Sequence, residues 1–158
     1  MKDTSPRTPD SSDSPSPFHN HPELQILQTL QVHSRTSLTM SRNYMSKFDE
    51  LRKGDYIMSN NHEWKAVFQE DGNFIIYGWK PMWNSDTAGQ RDAWRLCMQD
   101  DCNLVMYKRD NKMMWQTKSQ ASGGFKMCHL HLRNDGTMVV ERDGEEVWSS
   151  AQSKGFKN

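Results

Sequence analysis

From about residue 64 to residue 150, apolar side chains recur at alternate positions in three phased blocks. The first holds Ala66, Phe68, Phe74 and Ile76, the second Leu96, Met98, Leu104 and Met106, and the third Leu130, Leu132, Met138 and Val140. This two-residue period predicts strands with one face on a core, since a helix would repeat every 3.6 residues. Each block is interrupted at its centre, in the first by Asp71-Gly72-Asn73, and Asp101 and Asp135 mark the same place in the other two. Gly accepts positive φ, and Asp and Asn suit left-handed or side-chain-capped turns. The blocks are therefore expected to fold back as antiparallel hairpins, each with one apolar face.

Every block closes on a tryptophan followed by small or polar residues: Trp83-Asn84-Ser85, Trp115-Gln116-Thr117 and Trp148-Ser149-Ser150. The spacing is 30 residues from Asp71 to Asp101 and 34 from Asp101 to Asp135. Such a period signifies one supersecondary unit per repeat. A single unit cannot bury its apolar face alone, so the three are expected to pack around a shared axis. Residues 44–63 read as short strands and turns leading into the first block, with Lys53-Gly54-Asp55 and Ser59-Asn60-Asn61 as turn signals. Trp64 and Trp94, each seven residues before its Asp, are expected to be structural.

The outward positions carry the candidate chemistry. Gln69, Asp71, Asn73, Ile75 and Tyr77 alternate in the first block, and Gln99, Asp101, Asn103, Val105 and Tyr107 in the second. One extended nine-residue strand would hold Gln99 and Tyr107 roughly 26 Å apart, far wider than a sugar ring. The hairpin instead gathers amide, carboxylate, aliphatic and phenol on one face, a set that suits a polyhydroxylated ligand. Carboxylates only accept hydrogen bonds, whereas amides do both. In the third block Arg133, Asp135, Thr137, Val139 and Glu141 occupy these positions, so amide and phenol are replaced by bulky charges.

The two intact nonapeptides resemble the sugar site of the bulb-type (monocot mannose-binding, snowdrop-like) lectins, Gln-x-Asp-x-Asn-x-Val-x-Tyr. The resemblance covers residues 41–156, and Leu51-Arg52-Lys53-Gly54-Asp55 with Tyr77-Gly78-Trp79 looks closest to the lily-type lectins of fish skin mucus. It implies an all-β fold of the β-prism II type, three four-stranded antiparallel subdomains with pseudo-threefold symmetry. It also implies calcium-independent mannose binding with neither cofactor nor metal. By that resemblance Asp71 with Asn73, and Asp101 with Asn103, would hold the axial 2-hydroxyl. Gln69 and Gln99 would reach the 3-hydroxyl and Tyr77 and Tyr107 the 4-hydroxyl, while Ile75 and Val105 would pack against the ring. Ile75 departs from the usual Val by one methylene. The third set is expected not to bind mannose, and Asn73→Ala with Asn103→Ala to abolish mannan binding while the domain stays folded.

The resemblance further implies a disulfide between Cys102 and Cys128. Cys97 is left over, on the outward parity of Gln99, as a free thiol, an intermolecular bridge or a buried inert group. Expected partners are high-mannose glycans on microbial or cell surfaces and a second copy of the chain in a homodimer. The resemblance and the disulfide together imply an extracellular location such as mucus, while the lack of a legible signal peptide leaves a cytoplasmic one as the alternative.

Composition changes the picture mainly at the start of the chain. The 158 residues carry 20 basic and 20 acidic side chains, a balance that argues against nucleic acid or an anionic membrane as general partner. No apolar run reaches the length of a membrane span. Residues 1–39 hold five of the six prolines and many serines, and are expected to be a disordered extension, with a short marginal helix over residues 23–32. Met40 stands beside the start of the lectin-like segment and is expected to be the usual initiator. Catalysis finds no support. Asp100 and Asp101 would point to opposite faces of a strand, and His129 and His131 have no third metal ligand nearby. The reading is a mannose-binding lectin of surface defence. Its alternative is a glycan-independent interaction module, regulating a receptor or protease, on the same fold.

Overall fold

Each repeat folds into the antiparallel hairpin that the alternation predicts, followed by a third antiparallel strand. The first supplies β4 (Lys65–Phe68), β5 (Phe74–Tyr77) and β6 (Pro81–Asn84). The second supplies β7 (Ala93–Met98), β8 (Leu104–Lys108) and β9 (Met113–Gln116), and the third β10 (Cys128–Leu132), β11 (Met138–Arg142) and β12 (Glu145–Ser149). The structure, a computed structural model, describes residues 42–124 and 127–158. The expectations placed on residues 1–39 and on Met40 lie outside the described residues.

The segment before the repeats completes all three sheets. Its short strands β1 (Tyr44–Ser46), β2 (Glu50–Arg52) and β3 (Tyr56–Met58) join β10, β7 and β4 respectively. Each inserts one apolar side chain, Met45, Leu51 or Ile57, into the core. The sheets are therefore β1-β10-β11-β12, β3-β4-β5-β6 and a five-stranded β13-β9-β8-β7-β2, where β13 is Phe156–Lys157. That fifth strand departs from three equal four-stranded units. Trp115 draws it in: the indole Nε1 donates to the Lys154 carbonyl at 2.7 Å, and Phe156 then pairs with Gln116 across the ladder.

The core is where the alternation puts it. All twelve inward residues of the three blocks have no measurable exposure, which settles the phase of every hairpin. At the centre Trp83, Trp115 and Trp148 meet edge to face, with ring centroids 5.9 to 6.5 Å apart. Each such aromatic pair adds about 0.5–1.5 kcal/mol beyond area burial.

Neighbouring repeats are tied together through their turns. The turn of the second repeat joins the start of the third by the Cys102–Cys128 disulfide, with Cα atoms 5.1 Å apart. The turn of the third lies on Trp64, whose Nε1 donates to the Asn134 carbonyl at 3.0 Å, and a Cβ on Gly136 would come within 2.6 Å of that indole. Trp64 is structural, as expected. Trp94 is not in the core: the β7–β8 register shifts between Ala93 and Arg95, which turns Ala93 inward and leaves Trp94 37% exposed between the guanidinium groups of Arg52 and Arg109.

Candidate functional site

The three turns share one construction, and it explains what the motif Asp does. In the first, Gln69 N donates to the Asn73 carbonyl and Gly72 N to the Gln69 carbonyl, while Asp71 Oδ1 accepts from Asn73 N at 2.9 Å. Asp101 and Asp135 repeat that side-chain cap at 2.9 and 2.8 Å. An Asp in this place is needed for the turn whether or not a ligand binds, which accounts for Asp135 standing in the third block. The Thr137 N–H holds the Asp135 carboxyl below the ordinary carboxylate value. The residue after the Asp has positive φ in all three: Gly72 (84°), Cys102 (68°) and Gly136 (84°).

The motif Asn residues are buried clasps. Asn73 Oδ1 accepts from Ser85 Oγ at 3.1 Å and from Thr87 N at 3.2 Å, and Asn103 Oδ1 accepts from Thr117 Oγ1 at 3.1 Å and Ser119 N at 3.3 Å. Ser85 and Thr117 in turn bond Phe74 N and Leu104 N. The small polar residues after Trp83 and Trp115 thus lock the end of each of these two repeats onto its own turn. Sequence reading marked those residues by position, but their bonds to the site required the fold.

This burial changes one expectation. Asn73→Ala or Asn103→Ala removes the acceptor from a buried hydroxyl and a buried N–H, and each is expected to cost about 1–3 kcal/mol of stability. Chemical denaturation of the single variants measures it, and an unaltered midpoint would overturn the clasp. The Asn pair cannot therefore serve as a fold-neutral test of binding. Gln69 and Gln99 can, because each is only half-buried and among the described residues its side chain bonds the motif Tyr hydroxyl alone, Tyr77 and Tyr107 respectively.

Each notch lies on the outward face. Ile75 pairs with Val67 and Asn84, and Val105 with Cys97 and Gln116, so these residues form its floor. Val67 and Val105 are almost fully buried even though they face outward. Asp71 and Asp101 each keep their second oxygen, Oδ2, without a partner among the described residues, and Asn73 Nδ2 is likewise unengaged. Asn103 Nδ2 differs, since it donates to Gln116 Oε1 at 2.9 Å. The two notches are therefore alike in plan but not in donors.

Their electrostatic surroundings differ too. Lys65 stands opposite Tyr77 and lies over the Tyr56 ring at 4.1 Å. Arg95 stands opposite Tyr107, 4.8 Å from its ring centroid, and pairs with Glu50 at 3.6 Å. Burial pushes the Glu50 carboxyl up, but hydrogen bonding from Arg52 and the charges of Arg52 and Arg95 outweigh it and leave the group below its usual value. Cys97 lies on the outward parity as expected, and it is a buried free thiol 3.7 Å from Glu50 Oε2. Burial raises its pKa and keeps it protonated.

The third set is filled by its own charges. Arg133 reaches Glu146 at 2.9 Å and Glu141 at 3.5 Å, and His131 Nδ1 lies 3.7 Å from Glu141. Val139 is buried, Asp135 caps the turn, and Thr137 stands where the other turns place Asn. Among the described residues no group of three or more His, Cys, Asp or Glu could hold a metal ion.

No protein-family model matches the chain. Over 115 residues, 73% of this chain and 100% of the relative, it is 55% identical to the B-type lectin plumieribetin of Scorpaena plumieri. It is 28% identical to mannose-specific lectin 1 of Colocasia esculenta over 142 residues, 89% of this chain, and spans 50% of that protein's length. The fold matches the mannose-specific agglutinin of snowdrop (Galanthus nivalis) bulbs, solved with methyl α-D-mannoside, at a TM-score of 0.56 and 28% identity. That match covers 63% of this chain and 88% of the other.

Proposed function

Since the chain belongs to the B-type, or bulb-type, lectin family, we propose that residues 41–156 form a calcium-independent mannose-binding domain with two working sites. The observation that carries the reading is the pair of notches in which, among the described residues, Asp Oδ2 and Gln Oε1 are unengaged on one face, above an aliphatic floor. Gln69, Asp71, Asn73, Ile75 and Tyr77 form one site, and Gln99, Asp101, Asn103, Val105 and Tyr107 the other. Asp71 and Asp101 accept from a ring hydroxyl through Oδ2, and the Asn amide donates to the same hydroxyl. Gln and Tyr, which otherwise bond each other, turn to the next two hydroxyls. The Arg133, Asp135, Thr137, Val139 and Glu141 set binds no mannose, because Arg133 and Glu141 hold each other where the amide and phenol would act.

Each neutral hydrogen bond to sugar nets about 0.5–1.5 kcal/mol after water is displaced. A single open site then reaches about millimolar affinity, roughly 4 kcal/mol. Useful binding comes from several sites engaging one glycan-bearing particle. High-mannose glycans on microbial surfaces are the natural multivalent target, and extracellular surface defence by agglutination, with a homodimer doubling the sites, is the role that follows.

The test is retention of the intact protein on mannose-agarose in EDTA. Retention, release by free mannose and no release by galactose are expected. Gln69→Ala combined with Gln99→Ala should lose retention while the domain stays folded, at a cost of about 1 kcal/mol for each Gln–Tyr bond removed. Folded protein that passes straight through, or a folded double variant that still binds, would overturn the site assignment and favour a glycan-independent interaction module.

A further inference from the structure

Trp79 is 81% exposed, which is unusual for the residue with the largest apolar surface. It sits at the tip of the β5–β6 hairpin, two residues beyond Tyr77, between the paired Tyr77 and Pro81. Gly78 N donates to the Lys80 carbonyl at 3.1 Å and closes the tip. Beneath it, Gly78 is seated on Trp64 so closely that a Cβ would come within 2.7 Å of the indole, and Trp64 is itself anchored to Asn134. The exposed ring is thus carried on a fixed base. Lys80 Nζ lies 4.7 Å from its centroid and takes one face, so the ring has a second face to offer.

The edge beside it is open as well. Met82 on β6, two residues from the site-facing Asn84, is 50% exposed. Its counterpart on β9, Met114, is 5% exposed, and Asn158 N donates to the Met114 carbonyl as the C-terminal segment runs along that strand. The hairpin tip after Tyr107 carries Arg109, Asp110 and Asn111 and has no exposed aromatic ring. The partly exposed ring of the second repeat, Trp94, has the guanidinium groups of both Arg52 and Arg109 over it, so among the described residues the first notch is the one that combines an uncovered edge with a free aromatic face.

We propose that the first site continues past Tyr77 into a second subsite, in which Trp79 and Met82 receive the next hexose of a mannose-terminated glycan. This rests on the mannose reading above. The Cα atoms of Tyr77 and Trp79 are no more than about 7 Å apart, so a sugar linked to one held at Tyr77 reaches the indole. A hexose has an apolar edge of C–H groups that packs on an aromatic face while its hydroxyls stay in water, and a ring carried on a fixed backbone has only its two side-chain torsions left to order on doing so. The first site then selects oligosaccharides, and the second notch, lacking the platform, reads single terminal residues.

NMR titration of the full chain, following each site through its own resonances, tests this with methyl α-mannoside and with α-linked mannobioses of each linkage. At least one mannobiose is expected to shift the Trp79 indole N–H signal and to bind the first site about tenfold tighter than the monosaccharide, the second site showing no such gain. In Trp79→Ala the gain should fall to about twofold or less, with Trp79→Phe recovering part of it. A mannobiose advantage that persists in folded Trp79→Ala, or no advantage for any linkage in the native chain, overturns the subsite while leaving mannose binding intact. Failure of methyl α-mannoside itself to bind overturns the mannose reading and the subsite together. A Trp79→Ala effect confined to self-association or to lipid vesicles assigns the exposed ring to those partners and overturns the sugar role.

Discussion

Trp115→Ala is expected to lower the unfolding free energy by about 4–6 kcal/mol, a large part of the 5–15 kcal/mol available to a typical domain. The indole is fully buried at the centre of the three sheets, in edge-to-face contact with Trp83 and Trp148. Truncating a buried tryptophan costs about 3–5 kcal/mol through lost transfer energy and the cavity left behind. A further ~1 kcal/mol comes from the Lys154 carbonyl, which loses the Nε1 donor that brings β13 to β9. Trp148 provides the contrast. Its Nε1 is buried with no hydrogen-bond partner among the described residues. Trp148→Phe keeps much of the packing and removes an unpaired donor, so it is expected to cost about 1 kcal/mol or less, where Trp115→Phe sacrifices a made bond. Denaturant titration of the three variants distinguishes the roles. Equal losses for the two Phe variants would show that the donor at Trp115 contributes nothing.

Removing the disulfide is expected to have the next largest effect. Cys102 and Cys128 are 26 residues apart in sequence, and closing such a loop in the unfolded chain contributes about 3.5 kcal/mol by the chain-entropy relation. The choice of substitution matters. Cys102 has φ of 68°, where the corresponding turns carry Gly72 and Gly136. Cys102→Gly with Cys128→Ala therefore relieves the turn and isolates the cross-link, whereas Cys102→Ala should lose about 1 kcal/mol more. Wild-type protein in excess reductant should approach the Gly/Ala variant in denaturation midpoint. A variant as stable as the oxidised wild type would mean that the unfolded chain is already restricted there without the bond.

Much of the architecture was legible because a strand records its buried face locally. Residues two apart point the same way, so the alternation of Phe74 with Ile76 or Leu104 with Met106 states which side is inside without reference to any distant residue. The same parity put Cys97 on the outward side, and the repeated nonapeptides put amide, carboxylate and phenol on one face. The place of Trp94 outside the core was not legible, because a bulge shifts the register by one and exchanges the inward side chain, and no residue type at that position announces it.

The sequence by itself thus determined the three hairpins, the twelve inward residues, the turns and the outward chemistry, since each depends on the two-residue period and on turn residues close in the chain. Through its motif it also identified the family. Tertiary structure alone decided that residues 44–58 give one strand to each sheet, that β13 joins the second, and that Asn73 and Asn103 are buried clasps. It also decided that Asn103, unlike Asn73, is engaged by a neighbouring glutamine. Strands of two or three residues contain too little pattern to name a partner, and a hydrogen bond between residues a dozen positions apart exists only once the chain has turned back to place them together.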